Sequence, residues 1–173
     1  MTTANKLTIL RIVLIPVFLV LLYLGFPGCR WAALAVFVVA SLTDLLDGYI
    51  ARHYNQITDF GKFMDPLADK MLVMAAMCYF VEVGEMYGWV LALVLLREFA
   101  VSGMRLVAVE QGRVIAAGWS GKVKTASTMV CLCLMLVVPI RWLNLLCQAV
   151  ILAGTLYSGA EYLIKNRDVF KSA

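Results

Sequence analysis

The chain has 173 residues, of which 63% are hydrophobic and 15% charged, and its mean hydropathy is +0.89. Soluble domains are nearer half apolar, so this composition excludes an ordinary soluble protein and predicts an integral membrane protein. The net charge of +4 is small and comes from lysines and arginines in the polar connections, so we expect no nucleic-acid partner. Because a bilayer-spanning segment must satisfy its own backbone hydrogen bonds, the predicted fold class is all-α.

Apolar runs long enough to cross a bilayer, which takes about 20 residues, recur along the chain. The turn residues Gly25 to Gly28 separate the first two runs, and Asp65-Pro66 is typical of a helix start. Residues 53–64 and 111–124 are predicted to be polar connections. One membrane domain over residues 1–173 is expected, with six spans at about residues 7–26, 31–51, 66–83, 88–109, 125–140 and 143–164.

The distribution of positive charge predicts the orientation of these spans. With six spans both termini lie on one side of the membrane, and twelve lysines and arginines fall near that side. Only Arg30 and Arg141 fall near the other side. Cytoplasmic segments carry the excess of Lys and Arg, so both termini are predicted to be cytoplasmic. The asymmetry suits a bacterial inner membrane.

Four carboxylates stand close together in this apolar chain, at Asp44, Asp47, Asp65 and Asp69. The spacings of three and four residues place each pair on one face of a helix. Intramembrane acids are costly and usually functional, although helix capping or solvation is the alternative. An oxygen-only ligand set suits Mg²⁺ or Mn²⁺ rather than zinc or copper. Two such ions sharing four carboxylates could bring a phosphate and a nucleophile together. The acidic face is therefore predicted to face the cytoplasmic side and to bind metal.

Small and polar residues flank the acids. Gly48 and Ala51 continue the face of Asp44 and would let a large ligand approach closely, and Arg52 adds a cation beside them. At the same membrane side, a polar stripe with a spacing of three residues opens the first span. Arg11 in that stripe could simply extend to the lipid headgroups, or it could contact a ligand. The stripe consists of Asn5, Thr8 and Arg11.

A second set of charged residues is basic. Arg97 and Arg105 are eight residues apart and share a face of the fourth span. Lys122 and Lys124 follow on the same predicted side of the membrane, where ordinary positive-inside charge is the alternative explanation. Glu98 is adjacent to Arg97, but neighbours on a helix are not expected to face each other. Together the four cations predict a phosphate-binding pocket.

The acidic stretch resembles the signature of the CDP-alcohol phosphotransferase family. The pattern D-x2-D-G-x2-A-R-x8-G-x3-D-x3-D is matched without a gap from Asp44 to Asp69, through Gly61. The resemblance implies a CDP-linked donor, CDP-diacylglycerol, bound by the polar stripe, Gly48, Ala51, Arg52, Thr58 and Gly61. It also implies that Asp69 is the general base, a choice over Asp65 that the residues alone do not make.

Residues 97–105 and 121–126 are similar to segments of phosphatidylglycerophosphate synthases, one branch of that family. This resemblance implies that sn-glycerol 3-phosphate is the acceptor and that the protein forms a homodimer. Within the family, the acceptor could instead be inositol phosphate, serine or phosphatidylglycerol. A small ion- or proton-coupled transporter is the alternative from another class, but its acids would be spread across the bilayer and its halves often repeated.

Overall fold

A computed structural model gives the fold. The backbone is described for residues 3–53, 59–112, 115 and 118–167. Within those ranges the side chains are described except at residues 3–7, 44–53, 59–66, 69 and 110.

The described part of the chain forms six α-helices, which confirms the all-α prediction. Glycines with positive φ occupy three of the connections, as at Gly25 (φ 64°) and Gly28 (φ 89°), where the predicted turn is found. Such a backbone conformation is readily available only to glycine. The helices are α1 (Thr3–Tyr23), α2 (Cys29–His53), α3 (Asp59–Glu82), α4 (Gly88–Glu110), α5 (Trp119–Val137) and α6 (Arg141–Lys165).

Two helices begin about two turns before the spans predicted for them. α3 begins at Asp59, so Pro66 lies inside it and does not mark its start. α5 begins at Trp119, after Gly118 as N-cap residue, so the end of the predicted polar connection is helical. Hydropathy finds where a segment turns apolar, whereas a helix continues into polar sequence as long as its backbone hydrogen bonds form. The predicted helix start at Asp65-Pro66 was therefore wrong by about two turns, and residues 119–124 are helical although they were predicted to belong to a connection.

The helices fall into two units, residues 1–79 and 80–173. In the first unit α1 packs against α2. Phe18 and Phe37 meet with ring centroids 5.7 Å apart, and both rings are buried. Ala33 and Ala40, one turn to either side of Phe37, are buried as well. Their small side chains let the two helices approach closely along this seam.

In the second unit α6 is the central helix, because it packs against both α4 and α5. Its buried side includes Thr155, Ser158 and Tyr162. Tyr162 forms a cluster with Val101 and Met104 of α4. The buried side of α6 thus makes both polar and apolar contacts, and charged residues of α4 and α5 lie along it.

Polarity in the second unit is distributed in the opposite way to that of a soluble protein. Lys124 is buried, whereas Phe99 of α4 and Ile164 of α6 are 72% and 68% exposed. Large exposed apolar surfaces mark contact with lipid or a partner. Within the described residues α5 and α6 are long and apolar enough to cross a bilayer, and shorter apolar stretches lie in α1 and α2. These features agree with the membrane protein that the composition predicts.

Candidate active site

The two acidic pairs lie on the helices expected for them. Asp44 and Asp47 fall in the second half of α2, and Asp65 and Asp69 fall in the first half of α3. Each pair is about one helical turn apart, as the spacing predicts. The side chains of these acids, and those of Gly48, Ala51, Arg52 and Gly61, lie outside the described residues, as does Thr58 altogether. The predicted metal cluster therefore stays a prediction.

The polar stripe of α1 is buried against α2 where it is described. Thr8 and Arg11 are fully buried, and Arg11 Nε donates to the carbonyl oxygen of Ala40 over 3.4 Å, a long hydrogen bond. Thr43 Oγ1 donates to the same carbonyl at 2.7 Å. Ala40 precedes Asp44 by about one turn. The arginine is thus held inside the first unit near the acidic stretch rather than extended to the headgroups. Asn5 is outside the described side chains.

Glu98 joins two of the predicted phosphate-binding cations. Arg97 Nη1 donates to Glu98 Oε1 at 2.9 Å, and Lys124 Nζ donates to the same oxygen at 2.7 Å. All three side chains are nearly buried, with exposed fractions of 14%, 13% and 6% for Arg97, Glu98 and Lys124. We refer to these three residues as the Glu98 cluster. The ion pair between Glu98 and Lys124 connects α4 to α5.

The contact between Arg97 and Glu98 corrects the expectation that these neighbours do not face each other. Their Cβ atoms do leave the helix in different directions. The arginine stem is long enough, however, for its guanidinium to turn back to the adjacent carboxylate. Arg97 Nε is buried and has no hydrogen-bond partner in the part of the chain that the structure describes. The cluster therefore still offers an unsatisfied donor.

Arg105 is held by an aromatic residue of α6. Its Nε donates to the hydroxyl of Tyr162 at 2.9 Å, and its guanidinium carbon lies 5.4 Å from the centre of that ring. Arg97 and Arg105 are separated by eight positions of one helix, which corresponds to a rise of about 12 Å, so the two arginines stand at different depths along α4. Lys122 is exposed, whereas Lys124 is buried. The positive-inside explanation therefore suits Lys122 and does not suit Lys124.

Glycines of α6 and α5 leave room for these cations. A Cβ atom at Gly159 would lie 3.1 Å from Arg97 Cγ, which is tighter than an ordinary contact. One at Gly154 would lie 3.7 Å from Lys124 Cγ, and one at Gly121 would lie 3.8 Å from Arg97 Nη2. The close approach at Gly159 makes α6 a wall of the Glu98 cluster. Neither Gly159 nor Tyr162 is predicted from the sequence to belong to a site, because both stand in an apolar run that resembles packing core.

Comparison with known proteins places these features in a family. The CDP-alcohol phosphatidyltransferase model matches residues 1–157. A CDP-diacylglycerol–glycerol-3-phosphate 3-phosphatidyltransferase of Bacillus subtilis is 37% identical over 98% of this chain and 97% of that protein. A probable phosphatidylglycerophosphate synthase of Mycobacterium tuberculosis is 37% identical over 96% of this chain and 82% of that protein.

A further relative extends the agreement to another group of bacteria. The CDP-diacylglycerol–glycerol-3-phosphate 3-phosphatidyltransferase of Shigella flexneri is 38% identical over 93% of this chain and 92% of that protein. The matches include both the acidic signature and the helices that carry the Glu98 cluster. The chain belongs to the CDP-alcohol phosphatidyltransferase family.

Proposed function

We propose that this protein transfers a phosphatidyl group from CDP-diacylglycerol to sn-glycerol 3-phosphate, which gives phosphatidylglycerophosphate and CMP. The names of the relatives support the donor and the acceptor. In the reaction the free hydroxyl oxygen of the acceptor forms a bond to the β-phosphorus of the donor. The bond from that phosphorus to the CMP oxygen breaks, and the hydroxyl proton passes to Asp69.

Asp44, Asp47, Asp65 and Asp69 would hold two divalent ions. Their helical spacing and their oxygen donors fit Mg²⁺ or Mn²⁺. No group of three or more potential ligands occurs among the residues whose side chains are described, which do not include these four. When bound, the ions would neutralise the charge that builds on the diphosphate as CMP leaves.

The donor is expected to lie over the acidic stretch. Gly48, Ala51 and Gly61 would leave space for the cytidine diphosphate, while Arg52 and Thr58 would position it. Asn5, Thr8 and Arg11 would contact the diphosphate from α1. The burial of Arg11 near Ala40 supports this arrangement, since an arginine held there has a fixed position instead of a solvated one.

The unsatisfied donor of the Glu98 cluster carries the proposal for the acceptor. A buried N–H without a partner is costly, and a phosphate oxygen would satisfy Arg97 Nε. Arg97 and Lys124 supply two positive charges and Glu98 one negative charge, and Arg105 adds a further positive charge about 12 Å along α4, which leaves two in excess. This excess suits a phosphate that carries close to two negative charges. Lys122, exposed at the start of α5, would guide the acceptor inward.

The same proposal includes the arrangement in the membrane. All six helices would span the bilayer, with both termini and the active site on the cytoplasmic side of a bacterial inner membrane. The excess of Lys and Arg near the termini supports this orientation. A homodimer is proposed on the family resemblance.

A direct assay tests the function. Detergent-purified protein is given CDP-diacylglycerol and Mg²⁺, and release of CMP is measured with sn-glycerol 3-phosphate, inositol phosphate, serine or phosphatidylglycerol. We expect release with sn-glycerol 3-phosphate alone and its loss on chelation of the metal. Release with a different acceptor would refute the acceptor assignment, and release unaffected by chelation would refute the role of the four aspartates.

A further inference from the structure

The second unit contains a cavity of about 320 Å³ that the proposed reaction does not use. Residues of the connection between α3 and α4, such as Glu85 and Tyr87, line one side of it. Arg141, Asn144 and Gln148, from the first turns of α6, line the other side. Asn144 precedes Tyr162 by 18 residues of one helix, a rise of about 27 Å. The cavity is therefore at the opposite end of α6 from the site of Arg105.

Gln148 fixes the walls of the cavity to each other. Its Nε2 donates to the carbonyl oxygen of Glu85 at 3.1 Å and to that of Asn144 at 3.1 Å. Its Oε1 accepts from the backbone N–H of Tyr87 at 2.9 Å. Because a single buried amide satisfies both the loop and the helix, the cavity is formed before any ligand arrives.

Asn144 leaves one buried acceptor unused. The residue is 4% exposed, and its Oδ1 has no hydrogen-bond partner in the part of the molecule that the structure describes. Buried polar atoms are normally paired, and an unpaired one is costly. A ligand that donates a hydrogen bond inside the cavity would satisfy it.

The other polar features of the cavity attract an anion. Arg141 is exposed, and no ion-pair partner for it occurs among the described residues. It is the first residue of α6, and the N-cap residue Ile140 offers no side-chain cap to the free N–H groups of that turn. Free N–H groups and the helix dipole favour negative charge at such an end. Glu85 also lines the cavity and carries the opposite charge, so the lining as a whole has no net charge.

Exposed aromatic residues near the cavity indicate its depth relative to the lipid headgroups. Tyr87, Trp89 and Trp142 are all exposed, and the rings of Tyr87 and Trp89 stack with centroids 6.3 Å apart. Exposed tryptophan and tyrosine are typical of the level of the lipid headgroups. A cavity beside them opens toward those headgroups.

We propose that this cavity binds the headgroup of a zwitterionic phospholipid with a primary ammonium group, as in phosphatidylethanolamine. Arg141 and the first turn of α6 bind the phosphate, and Asn144 Oδ1 accepts a hydrogen bond from the ammonium group. The balanced charge of the lining disfavours a headgroup with net negative charge. Phosphatidylcholine carries the same charges but no hydrogen-bond donor, so it lacks the contact to Asn144. The proposal does not depend on the reaction proposed above.

Lipid binding to the full-length protein in detergent, measured by native mass spectrometry, tests the proposal. Wild-type protein should bind phosphatidylethanolamine about tenfold more tightly than phosphatidylcholine, as expected for one added hydrogen bond to a charged group. It should also bind phosphatidylethanolamine more tightly than phosphatidylglycerol, whose headgroup has a net negative charge. Asn144→Leu should abolish this preference, whereas Arg141→Gln should weaken the binding of all three lipids, because the phosphate is common to them. Arg30→Gln, which removes a cation that does not line the cavity, should retain the preference.

Each other result would overturn the proposal. Equal binding of the three lipids by the wild type would do so, as would a preference that survives in folded Asn144→Leu protein or lipid binding that is unchanged in Arg141→Gln protein. If Asn144→Leu fails to fold, Arg141→Gln, whose side chain is exposed, decides through the strength of lipid binding, which must fall for all three lipids. Binding of soluble glycerophosphoethanolamine as tight as that of the intact lipid would overturn the assignment to a lipid. Because the readout is binding, failure here leaves the CMP-release assay unaffected.

Discussion

Asp69 is the residue on which the proposed chemistry depends most. It closes the acidic signature on α3, and its proposed task is to accept the proton of the attacking hydroxyl. Asp69→Asn keeps the shape of the side chain but removes the base, so kcat should fall by at least about 100-fold. CMP release at saturating substrates measures this loss. Asp59→Asn, at the first residue of the same helix and outside the signature, should stay near wild type. Near-normal turnover in folded Asp69→Asn protein would remove the base assignment.

Tyr162 is expected to position Arg105. Tyr162→Phe removes the hydroxyl that accepts from Arg105 Nε but keeps the ring beneath the guanidinium. The KM for sn-glycerol 3-phosphate should rise about tenfold, as for the loss of one hydrogen bond to a charged group, while kcat changes little. Steady-state kinetics with varied acceptor measure both constants.

Two comparisons separate this positioning role from a general effect on packing. Tyr157→Phe, at an exposed tyrosine of the same helix, should leave the KM unchanged. In an Arg105→Ala background, Tyr162→Phe should add no further increase, because the two residues act as one unit. Independent, additive effects of the two substitutions would contradict the role.

At the scale of elements, the packing of α6 against α4 controls the Glu98 cluster. Gly159→Ala would bring a Cβ atom to 3.1 Å from Arg97 Cγ and displace that side chain. We expect a rise in the KM for the acceptor of about threefold to tenfold, the effect of a weakened contact to a charged group. Acceptor titration in the CMP-release assay measures it.

Gly103→Ala is the matched control for this substitution. Gly103 lies on α4, and a Cβ atom there would meet nothing within 4 Å. Alanine stabilises a helix relative to glycine by about 0.5–1 kcal/mol, so the melting temperature should rise slightly and the KM should not change. An unchanged KM in Gly159→Ala protein would show that α6 does not constrain the cluster.

Hydropathy and turn residues predict the elements well but not their full length. The α-helical class and the turn at Gly25 and Gly28 follow from apolar run length and from glycine. The early starts of α3 and α5 do not, because Asp59 and Trp119 begin helical turns that continue into the apolar runs. The length of an apolar run reflects the thickness of the bilayer, and a helix can extend beyond the end of that run.

The sequence predicts those residues of the candidate site whose chemical type alone indicates a function. The basic residues of α4 and α5 follow from the cost of charge inside a membrane. The shared carboxylate of Glu98 does not follow, since its contact to Arg97 depends on the bend of a long side chain. Tyr162 was missed because an aromatic residue in an apolar run is usually core, and only its hydroxyl distinguishes it.

At the scale of the whole molecule, orientation is the property that charge predicts. The full chain with green fluorescent protein at its C-terminus should be fluorescent in bacteria, because the positive-inside distribution keeps that end in the cytoplasm. The same chain with alkaline phosphatase there should be inactive. Alkaline phosphatase inserted at Gly84, in the connection between α3 and α4, should be active. The reversed pattern would contradict the orientation.

The central place of α6 also has a consequence for biosynthesis. α4 and α5 leave the ribosome first, and both pack against a helix that is made after them. Until α6 arrives, Arg97, Glu98 and Lys124 lack the wall that later encloses them. The nascent protein therefore passes through a stage in which an incompletely shielded charge cluster is accessible to insertion factors and membrane proteases. Slow synthesis of residues 141–165 would prolong that stage and lower the yield of folded protein.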